Sequence, residues 1–538
     1  MKMSLLKDNI RLIIIKCSIQ SFEKISSSIK YLVNIFKKKE NAILLLLSII
    51  SVFFIYKSFL FVLAMDINNE SDGWGFFWFT NLLYYYNTLY IPHNIPPFFS
   101  SLYSPLYYVF NVLIIKLLEI DLNSFDGVMN ALFLGRTISF LSLLASMYLF
   151  YKILNINNIS RKYAILGALV FLLFQSYISV IYRPDSLRML FFMFYFYFYI
   201  KYIIRSKALF LYLSSAFLLI ACLVKQDAVV FFIPSILFLL ISKNKKHLII
   251  YLSIIVIYIV GGLIILKKLP AIIDSFIYLS RIEGFSIKYY IYFKLPYLIM
   301  ISPMLVFSIY ILLKRSIIFQ KLHLFLCLNF FISFFLILIM SARPGGALHY
   351  FVMFEAVMLL ISLFYIFKKD FVHKSNRKLF IICLIYMVSL IFLKNNTVPV
   401  SMSVLTKVPK NNKESLIKAY KTSDFIINEL KMEGKHYFIT YDHNMIVFSR
   451  NNLVIDYYLL IKYHDQKRFA LALNKSKDHW EHSREYLVNY IKNGNIPYIV
   501  FNSSPKNDKF VKQEYPQYYL FCQYQGHDVF KNKQNLMP

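Results

Sequence analysis

The chain has 538 residues, of which 58% are hydrophobic, 18% aromatic and only 16% charged. Its mean hydropathy is +0.56, and one soluble core could not bury that much apolar surface. The composition therefore excludes an ordinary soluble enzyme and predicts a polytopic α-helical membrane protein. In a soluble protein the formal net charge of +31 would suggest nucleic-acid binding. In a membrane protein it favours orientation signals and contacts with anionic lipid headgroups.

The apolar runs predict about eleven transmembrane helices. Residues 1–41 precede them and alternate apolar with basic residues in runs too short to cross a bilayer, so we expect a basic amphipathic segment at the cytoplasmic interface. The transmembrane domain is predicted to cover 42–393. Its helices are expected at 42–64, 136–151, 163–181, 189–200, 208–224, 228–242, 248–266, 295–313, 322–340, 350–367 and 379–393.

The distribution of charge predicts the orientation of these helices. Five alternate short loops contain seventeen Lys and Arg residues and one acid, so the positive-inside rule places them and the N-terminus in the cytoplasm. The loop 65–135 lies on the opposite side of the cell membrane. It carries Asp66, Glu70 and Asp72 directly after the first predicted helix, so these acids are expected at the outer membrane face. An odd number of helices also places 394–538 outside.

Residues 394–538 are predicted to form a small extracytoplasmic α/β domain. The segment SLIKAYKTSDFIINELKME has the periodicity of an amphipathic helix, whereas HYFITYD, NLVIDYY and IPYIVFN are typical of short β-strands. The chain shows no internal repeat of 20–50 residues and no inverted duplication of the kind found in many transporters.

Ionisable residues also occur at the outer ends of several predicted helices, in the segments YRPDSLRM, LVKQD and SARPGGALHYF. Charges at this depth are energetically expensive unless they are paired or functional, so we treat them as candidate site residues. They are Arg183, Asp185, Lys225, Asp227, Arg343 and His349.

The order of these segments resembles the GT-C superfamily of polyprenyl-phosphate-sugar-dependent glycosyltransferases. One predicted helix is followed by a long acidic loop ending in YSPLYYVFNVLIIKLL, and then by GRTISFLSLLASMYLFYKIL, RPDSL, LVKQD and ALHYF. More narrowly, the chain is similar to the glycosyltransferase family 39 group, which includes protein O-mannosyltransferases and the aminoarabinose transferase acting on lipid A. The resemblance covers about 42–393. It implies inverting transfer of a sugar from a polyprenyl-phosphate donor to an extracytoplasmic glycan, lipid or protein.

Such a transfer needs a carboxylate that takes the proton of the acceptor hydroxyl while the anomeric carbon is attacked opposite the departing phosphate. Asp72, in ESDGWGFF, occupies the place of the family's acidic pair before aromatic residues and is the first candidate. Glu70 and Asp66 follow. The usual adjacent pair is spread here as Glu70-Ser71-Asp72, so the base stays open between these two acids. The alternative is that the acids merely solvate the loop and oppose retention of positive charge outside.

The departing phosphate gains negative charge and needs a cation to offset it. Lys225 lies between two apolar runs that are too close for a real loop, so we expect it near the membrane plane as a ligand of the donor phosphate. Arg183 and Arg343 are predicted to bind the same phosphate, and His349 to donate a hydrogen bond to it. For His349 the alternative is an ordinary histidine at the membrane interface.

Two acids near these cations have a different predicted role. Asp185 and Asp227 are expected to position the acceptor or the backbone of the first loop, or else to be structural. A local pair of Arg183 with Asp185, or simple anchoring at the interface, is the structural alternative.

No cofactor is expected to be required, and a divalent metal stays an open alternative that the sequence does not support. The predicted helices contain no His-x-x-x-His or Glu-x-x-His pair, and Glu70 with Asp72 alone would bind a divalent ion weakly. The expected partners are the lipid-linked donor and the acceptor, without nucleic acid. The alternative function is other envelope-polysaccharide machinery, such as a polymerase, a ligase or a lipid-linked-sugar flippase. A flippase would carry charges along several helices, whereas these cluster at one face apart from exceptions such as Lys57 and Glu355.

Overall fold

The structure is a computed structural model of the whole chain. The chain divides into two compact units, Met1–Ile55 and Tyr56–Pro538. The residues that the structure describes are 39–64, 78–87, 104–175, 182–268, 295–314, 321–341, 351–367, 412–432, 437–440, 442–448, 453–456, 491, 493 and 496–533. The predicted amphipathic segment 1–41 falls almost entirely outside these ranges, as does the predicted helix 379–393.

The first part of the chain is helical. In the described ranges up to residue 367, the helices are α1 (Lys39–Leu63), α2 (Trp78–Tyr86), α3 (Leu106–Leu117), α4 (Phe125–Ile156), α5 (Arg161–Phe174), α6 (Asp185–Arg205), α7 (Ala208–Val224), a 3-10 helix (Gln226–Phe231), α8 (Phe232–Ile241), α9 (Lys245–Lys268), α10 (Leu295–Lys314), α11 (Lys321–Ser341) and α12 (Val352–Phe367).

Several of these helices have the length and composition of membrane spans. Within the described ranges, four helices are long and apolar enough to cross a bilayer, and they lie in α1, α4, α6 and α11. Shorter apolar helices of 10–17 residues include α3, α7 and α12. These helices agree with the prediction of a membrane protein, while the number of eleven crossings and their orientation stay predictions.

Helix α4 begins eleven residues earlier than the sequence pattern predicts. The predicted start was residue 136, but the helix starts at Phe125. Ser124 caps it, because its Oγ accepts a hydrogen bond of 3.0 Å from the backbone N–H of Gly127. The negative charge of Asp126, in the first turn, interacts favourably with the positive end of the helix dipole. The loop predicted at 65–135 therefore contains α2, α3 and the first turns of α4.

Several buried polar residues lie along one face of helix α6. It packs against both α4 and α7. Residues spaced three or four apart lie on the same side of a helix, so Asp185, Arg188, Tyr195 and Tyr199 share a face. The Tyr195 hydroxyl lies 2.7 Å from Ser235 Oγ of α8, and the Tyr199 hydroxyl donates to the Ser235 carbonyl at 3.0 Å. Hydrogen bonds of this kind satisfy buried hydroxyls and join neighbouring helices.

The C-terminal part is an α/β domain, as predicted. The described elements are α13 (Lys413–Met432), β1 (Tyr437–Thr440), α14 (His443–Ile446), β2 (Leu453–Asp456), β3 (Tyr498–Asn502), α15 (Pro505–Glu514), β4 (Tyr518–Tyr524) and β5 (His527–Asn532). The strand order is β2-β1-β3-β5-β4. Strand β1 pairs in parallel with β2 and β3, whereas β5 is antiparallel to β3 and β4. Apolar residues of α13 cover one face of the sheet, and those of α15 cover the other.

A buried carboxylate fastens β5 to its neighbours in this domain. Asp528 accepts hydrogen bonds from Ser503 Oγ at 2.6 Å, Asn507 Nδ2 at 2.8 Å, Gln523 Nε2 at 3.0 Å and the backbone N–H of Ser504 at 3.1 Å. Burial by itself raises the pKa of Asp528, but these donors stabilise the ionised form more strongly. The pKa therefore lies below its usual value.

The C-terminal domain docks on the first-loop helices. Phe448, two residues after the end of α14, stacks on Phe125 at the start of α4, with ring centroids 5.7 Å apart. The Tyr420 hydroxyl of α13 donates to the Asn123 carbonyl at 3.3 Å. The predicted outer domain therefore contacts the predicted outer loop, at the N-terminal end of α4.

We expect Phe448→Ala to loosen this docking. Phe448 is 1% exposed, and truncating a buried Phe to Ala typically costs about 3–5 kcal/mol. Hydrogen exchange of the full-length protein in detergent should speed up at the first turn of α4. The matched control is Phe521→Ala in the same domain, whose ring is 36% exposed and should matter little. Equal exchange in both variants would contradict the assigned interface.

Candidate functional site

A buried carboxylate at the start of α6 organises the candidate site. The residue before a proline is biased away from helical backbone, so α6 starts only after Arg183-Pro184. Asp185 is its first residue, at the helix end that favours negative charge. It is fully buried. Its Oδ1 accepts from Lys225 Nζ at 2.8 Å and lies 3.2 Å from Arg188 Nη2, while Oδ2 lies 3.2 Å from Arg183 Nε.

Arg188 joins this carboxylate to a second one. Its Nη1 donates to Asp227 Oδ2, in the 3-10 helix after α7. The guanidinium is fully buried, and its planar fork suits contact with two carboxylates at once. Lys225 is the single residue between α7 and the 3-10 helix. The break between two closely spaced apolar runs, predicted from the sequence, is therefore present.

We call these five residues, Arg183, Asp185, Arg188, Lys225 and Asp227, the Asp185 cluster. With its ionisable groups charged, the cluster has three cations and two carboxylates, which leaves one positive charge. The Arg183 side chain is 20% exposed, whereas the other four are between 0% and 4% exposed. Asp227 Oδ1 is buried and has no hydrogen-bond partner in the described part of the structure. The cluster is thus a buried electropositive region whose most accessible cation is Arg183.

The cluster contains four of the residues predicted from the sequence. Asp185 contacts both Arg183 and Lys225, so the local Arg183–Asp185 pair that was the structural alternative is present. Whether Lys225 also binds a phosphate, and whether Asp227 positions an acceptor, stay predictions. Any phosphate bound by Lys225 would share its ammonium group with Asp185.

Arg188 was missed by the sequence reasoning. It follows Asp185 by three residues in PDSLR, a spacing that places both side chains on one helix face. That spacing was the available signal. Its partner Asp227 lies 39 residues further on, and no helix periodicity reveals such a contact.

The remaining predicted residues lie outside the described ranges. Asp66, Glu70 and Asp72 fall in 65–77, between α1 and α2, and Arg343 and His349 fall in 342–350, between α11 and α12. Their roles as base and as phosphate ligands stay predictions.

A further buried acid, Glu355, lies in the first turn of α12. Gln175, directly after α5, donates through Nε2 to Glu355 Oε2 at 3.0 Å and to the Val352 carbonyl at 3.2 Å. The Gln175–Glu355 pair links the end of α5 to α12, and Glu355 is its one carboxylate. In the described residues, no group of three or more His, Cys, Asp or Glu side chains could hold a metal ion. The first-loop acids lie outside those residues.

The helices and the C-terminal sheet together form a fold that is also found in solved structures. Solved structures of ArnT from Cupriavidus metallidurans share it. The ArnT structure bound to undecaprenyl phosphate is 11% identical to this chain, with a TM-score of 0.52 over 92% of this chain and 99% of ArnT. For ArnT in the apo state the TM-score is 0.54 at 11% identity, over 91% of this chain and 99% of ArnT. No protein-family model and no curated protein sequence matches the chain.

This similarity confirms the fold expected from the order of sequence segments. It extends over nearly the full length of both chains, so it includes the C-terminal domain, which lies beyond the range 42–393 of the sequence resemblance. At 11% identity it concerns the fold alone. The chain is accordingly a membrane protein with the fold seen in ArnT.

We predict that breaking the Arg188–Asp227 pair destabilises the protein more than removing both partners. Arg188→Met and Asp227→Leu each leave buried charge uncompensated, which typically costs about 3–5 kcal/mol. The double variant removes both charges and should regain part of the thermal midpoint lost in the single variants, measured in detergent.

The control for this pair is Lys512→Met, which breaks the exposed Lys512–Asp508 pair and should change the midpoint little. If the decrease in thermal midpoint of the double variant equalled the sum of the decreases in Arg188→Met and Asp227→Leu, the two side chains would contribute independently of each other.

Proposed function

We propose that the protein is an inverting glycosyltransferase that moves a sugar from a polyprenyl-phosphate donor to an extracytoplasmic acceptor. The observation that carries this proposal is the shared fold over nearly the whole of both chains with ArnT, which has been solved bound to undecaprenyl phosphate. The acceptor would be an envelope glycan, a lipid or a protein, and the sugar a hexose or a pentose. A donor anchored in the bilayer also agrees with the apolar helices of span length.

The charge of the Asp185 cluster supports a phosphate leaving group. A polyprenyl-phosphate sugar is a phosphodiester, and it gains a second ionisable oxygen when the bond from its phosphate to the anomeric carbon breaks. A fixed cation that faces this oxygen stabilises the transition state more than the ground state. We assign this contact first to Arg183, because it is the most exposed cation of the cluster.

The buried members of the cluster would then act through Arg183. The Asp185 carboxylate lies 3.2 Å from Arg183 Nε and can orient its guanidinium. Lys225 and Arg188 offset the charge of Asp185, so that the carboxylate does not cancel the whole charge of Arg183. Arg343 and His349 are proposed as further phosphate ligands, because a guanidinium and an imidazole N–H can offset the charge that develops on the departing phosphate.

The proton of the acceptor hydroxyl would be removed on the face of the sugar opposite the departing phosphate. In the proposed step the acceptor oxygen forms a bond to the anomeric carbon, the bond from that carbon to the phosphate oxygen breaks, and a carboxylate takes the hydroxyl proton. Asp72 is proposed as this base, with Glu70 next and Asp66 third. Helix α2, which follows the segment that holds them, contacts the neighbour of Arg183, since the Thr80 and Tyr182 hydroxyls are hydrogen-bonded at 2.7 Å.

The placement of the C-terminal domain supports an extracytoplasmic acceptor site. The domain contacts α2 through a hydrogen bond of 3.4 Å from Asn81 Nδ2 to the Val447 carbonyl. A domain in contact with the first-loop helices can contribute to acceptor binding on the side where the positive-inside rule places that loop. No metal or other cofactor is part of the proposed chemistry.

We expect Asp72→Asn to abolish sugar transfer while membrane insertion and thermal stability stay at wild-type levels, because the amide cannot accept the proton. Full-length protein in nanodiscs would be given a lipid extract and an envelope fraction from cells that lack the gene, which supply the unused donor and the unmodified acceptor. Release of polyprenyl phosphate would then be measured.

The control for Asp72→Asn is Glu119→Gln, which changes an exposed acid of the same predicted loop. This variant should keep its activity. Full activity of Asp72→Asn would move the base to Glu70 or Asp66. Wild-type protein that releases no polyprenyl phosphate from any lipid fraction in the presence of the envelope fraction would contradict the proposed function itself.

A further inference from the structure

We propose that the ends of α4 and α6 that carry Lys152 and Lys201 form a binding site for the headgroup of an anionic phospholipid. The site lies at the opposite end of α6 from the Asp185 cluster. It does not depend on the proposed function, because its ligand is a lipid of the surrounding bilayer and not the sugar donor.

Basic residues collect where three pairs of consecutive helices are joined. The stretches 152–162, 201–207 and 243–247 join α4 to α5, α6 to α7 and α8 to α9. Together they contain nine Lys and Arg residues and no Asp or Glu. In the described part of the chain, no carboxylate forms an ion pair with Lys152, Lys201 or Arg205. Their positive charge is therefore available to an anion from outside the protein.

Side-chain contacts show that these connections lie at one end of the helical domain. Lys201 Nζ of α6 lies 5.4 Å from the ring centroid of Phe210 in α7. The Tyr202 hydroxyl of α6 lies 2.8 Å from Nδ1 of His247, in the first turn of α9. The end of α6 thus contacts the starts of both α7 and α9, so the cations of these stretches form one basic surface.

Lys152 of α4 lies beside the same end of α6. Ser139 Oγ of α4 donates to the Arg183 carbonyl at 3.3 Å, just before α6 begins. The two helices pack against each other, and Lys152 and Tyr197 follow this contact by similar numbers of residues. The charge of Lys152 acts on Tyr197, which shows that both side chains lie at the same level.

Aromatic rings hold both ammonium groups at the surface of the domain. Lys201 Nζ lies 4.4 Å from the Tyr197 ring centroid, and Lys152 Nζ lies 5.1 Å from the Tyr148 ring centroid. A ring face attracts an ammonium group without accepting all three of its hydrogen bonds. Each lysine is therefore held in place while it keeps N–H donors for a phosphate.

The length of α6 places this surface at the headgroups of the second leaflet. The helix has 21 residues, from Asp185 to Arg205. At 1.5 Å per residue it is about 30 Å long, which is the thickness of the hydrocarbon core of a bilayer. A lipid at Lys201 would thus lie in the leaflet opposite the Asp185 cluster. The charge distribution predicts that this leaflet is cytoplasmic, where anionic lipids attract basic segments.

An anionic phospholipid fits both the charged and the apolar parts of this surface. Its phosphate can accept hydrogen bonds from Lys152 and Lys201, and its acyl chains can cover apolar side chains beside them. The exposed side chains at these ends of α4, α6 and α7 are Tyr148, Ile204, Leu209 and Tyr212. A soluble phosphate would use the lysines alone, so we assign the site to a lipid.

The test neutralises both lysines in the double variant Lys152→Gln/Lys201→Gln. Binding of phosphatidylglycerol to the full-length protein in detergent would be measured by native mass spectrometry. We expect each substitution to weaken binding about fivefold and the double variant to weaken it about 25-fold. Lys201→Arg should keep the wild-type affinity, because the guanidinium stays charged and binds phosphate.

The matched control is Lys116→Gln. Lys116 Nζ lies 5.4 Å from the Tyr84 ring centroid, a contact of the same type in the first-loop helices. This variant should bind phosphatidylglycerol like the wild type. Phosphatidylcholine, which has no net charge, should bind the wild type more weakly than phosphatidylglycerol does. Glycerol 3-phosphate, which has no acyl chains, should bind more weakly still.

Four results would overturn the proposed site. They are equal affinity of the wild type and the double variant, an equal loss in Lys116→Gln, equal binding of phosphatidylcholine, and a lower thermal midpoint of the double variant in lipid-free detergent. The last result would give the two lysines a structural role instead. Glycerol 3-phosphate that bound as tightly as phosphatidylglycerol would overturn a lipid as the ligand.

Discussion

The carboxylate of Asp185 and the three cations around it are the constraint on which the helical domain depends. A fully buried acid is tolerated because Lys225, Arg188 and Arg183 approach it within 3.2 Å, and Arg188 in turn needs Asp227. Breaking one such pair typically costs about 3–5 kcal/mol, a large part of the stability of a folded domain. The start of α6 and the break after α7 are therefore held in one arrangement.

The same arrangement places the cluster beside the first loop. Arg183 of the cluster directly follows Tyr182, whose hydroxyl is hydrogen-bonded to Thr80 of α2. The C-terminal domain contacts α2 through Asn81 and α4 through Phe125. Each of these contacts is buried or aromatic, so specific side chains join the elements at the N-terminal end of α4. A lipid phosphate at Arg183 and an acceptor beneath the C-terminal domain would meet at this end.

Much of the fold follows from the sequence because its signals are local. Apolar runs predict helices such as α7 at 208–224, and alternation with turns predicts the strands of the C-terminal sheet. The start of α4 was placed too late because hydropathy alone overlooks the cap at Ser124 and the polar first turn. Arg188 was missed because its partner Asp227 is fixed by packing between helices. The site could therefore be located by its charges, but their pairing required the structure.

The central claim is that the protein uses a polyprenyl-phosphate sugar. Its most direct test compares lipid-linked sugars and cell-surface glycans from cells with and without the gene, by mass spectrometry. The account predicts that cells without the gene accumulate one glycosylated polyprenyl phosphate and lose one substituent from a surface glycan, lipid or protein, and that the Asp72→Asn gene does not reverse either change. An unchanged lipid-linked pool together with unchanged surface molecules would contradict it.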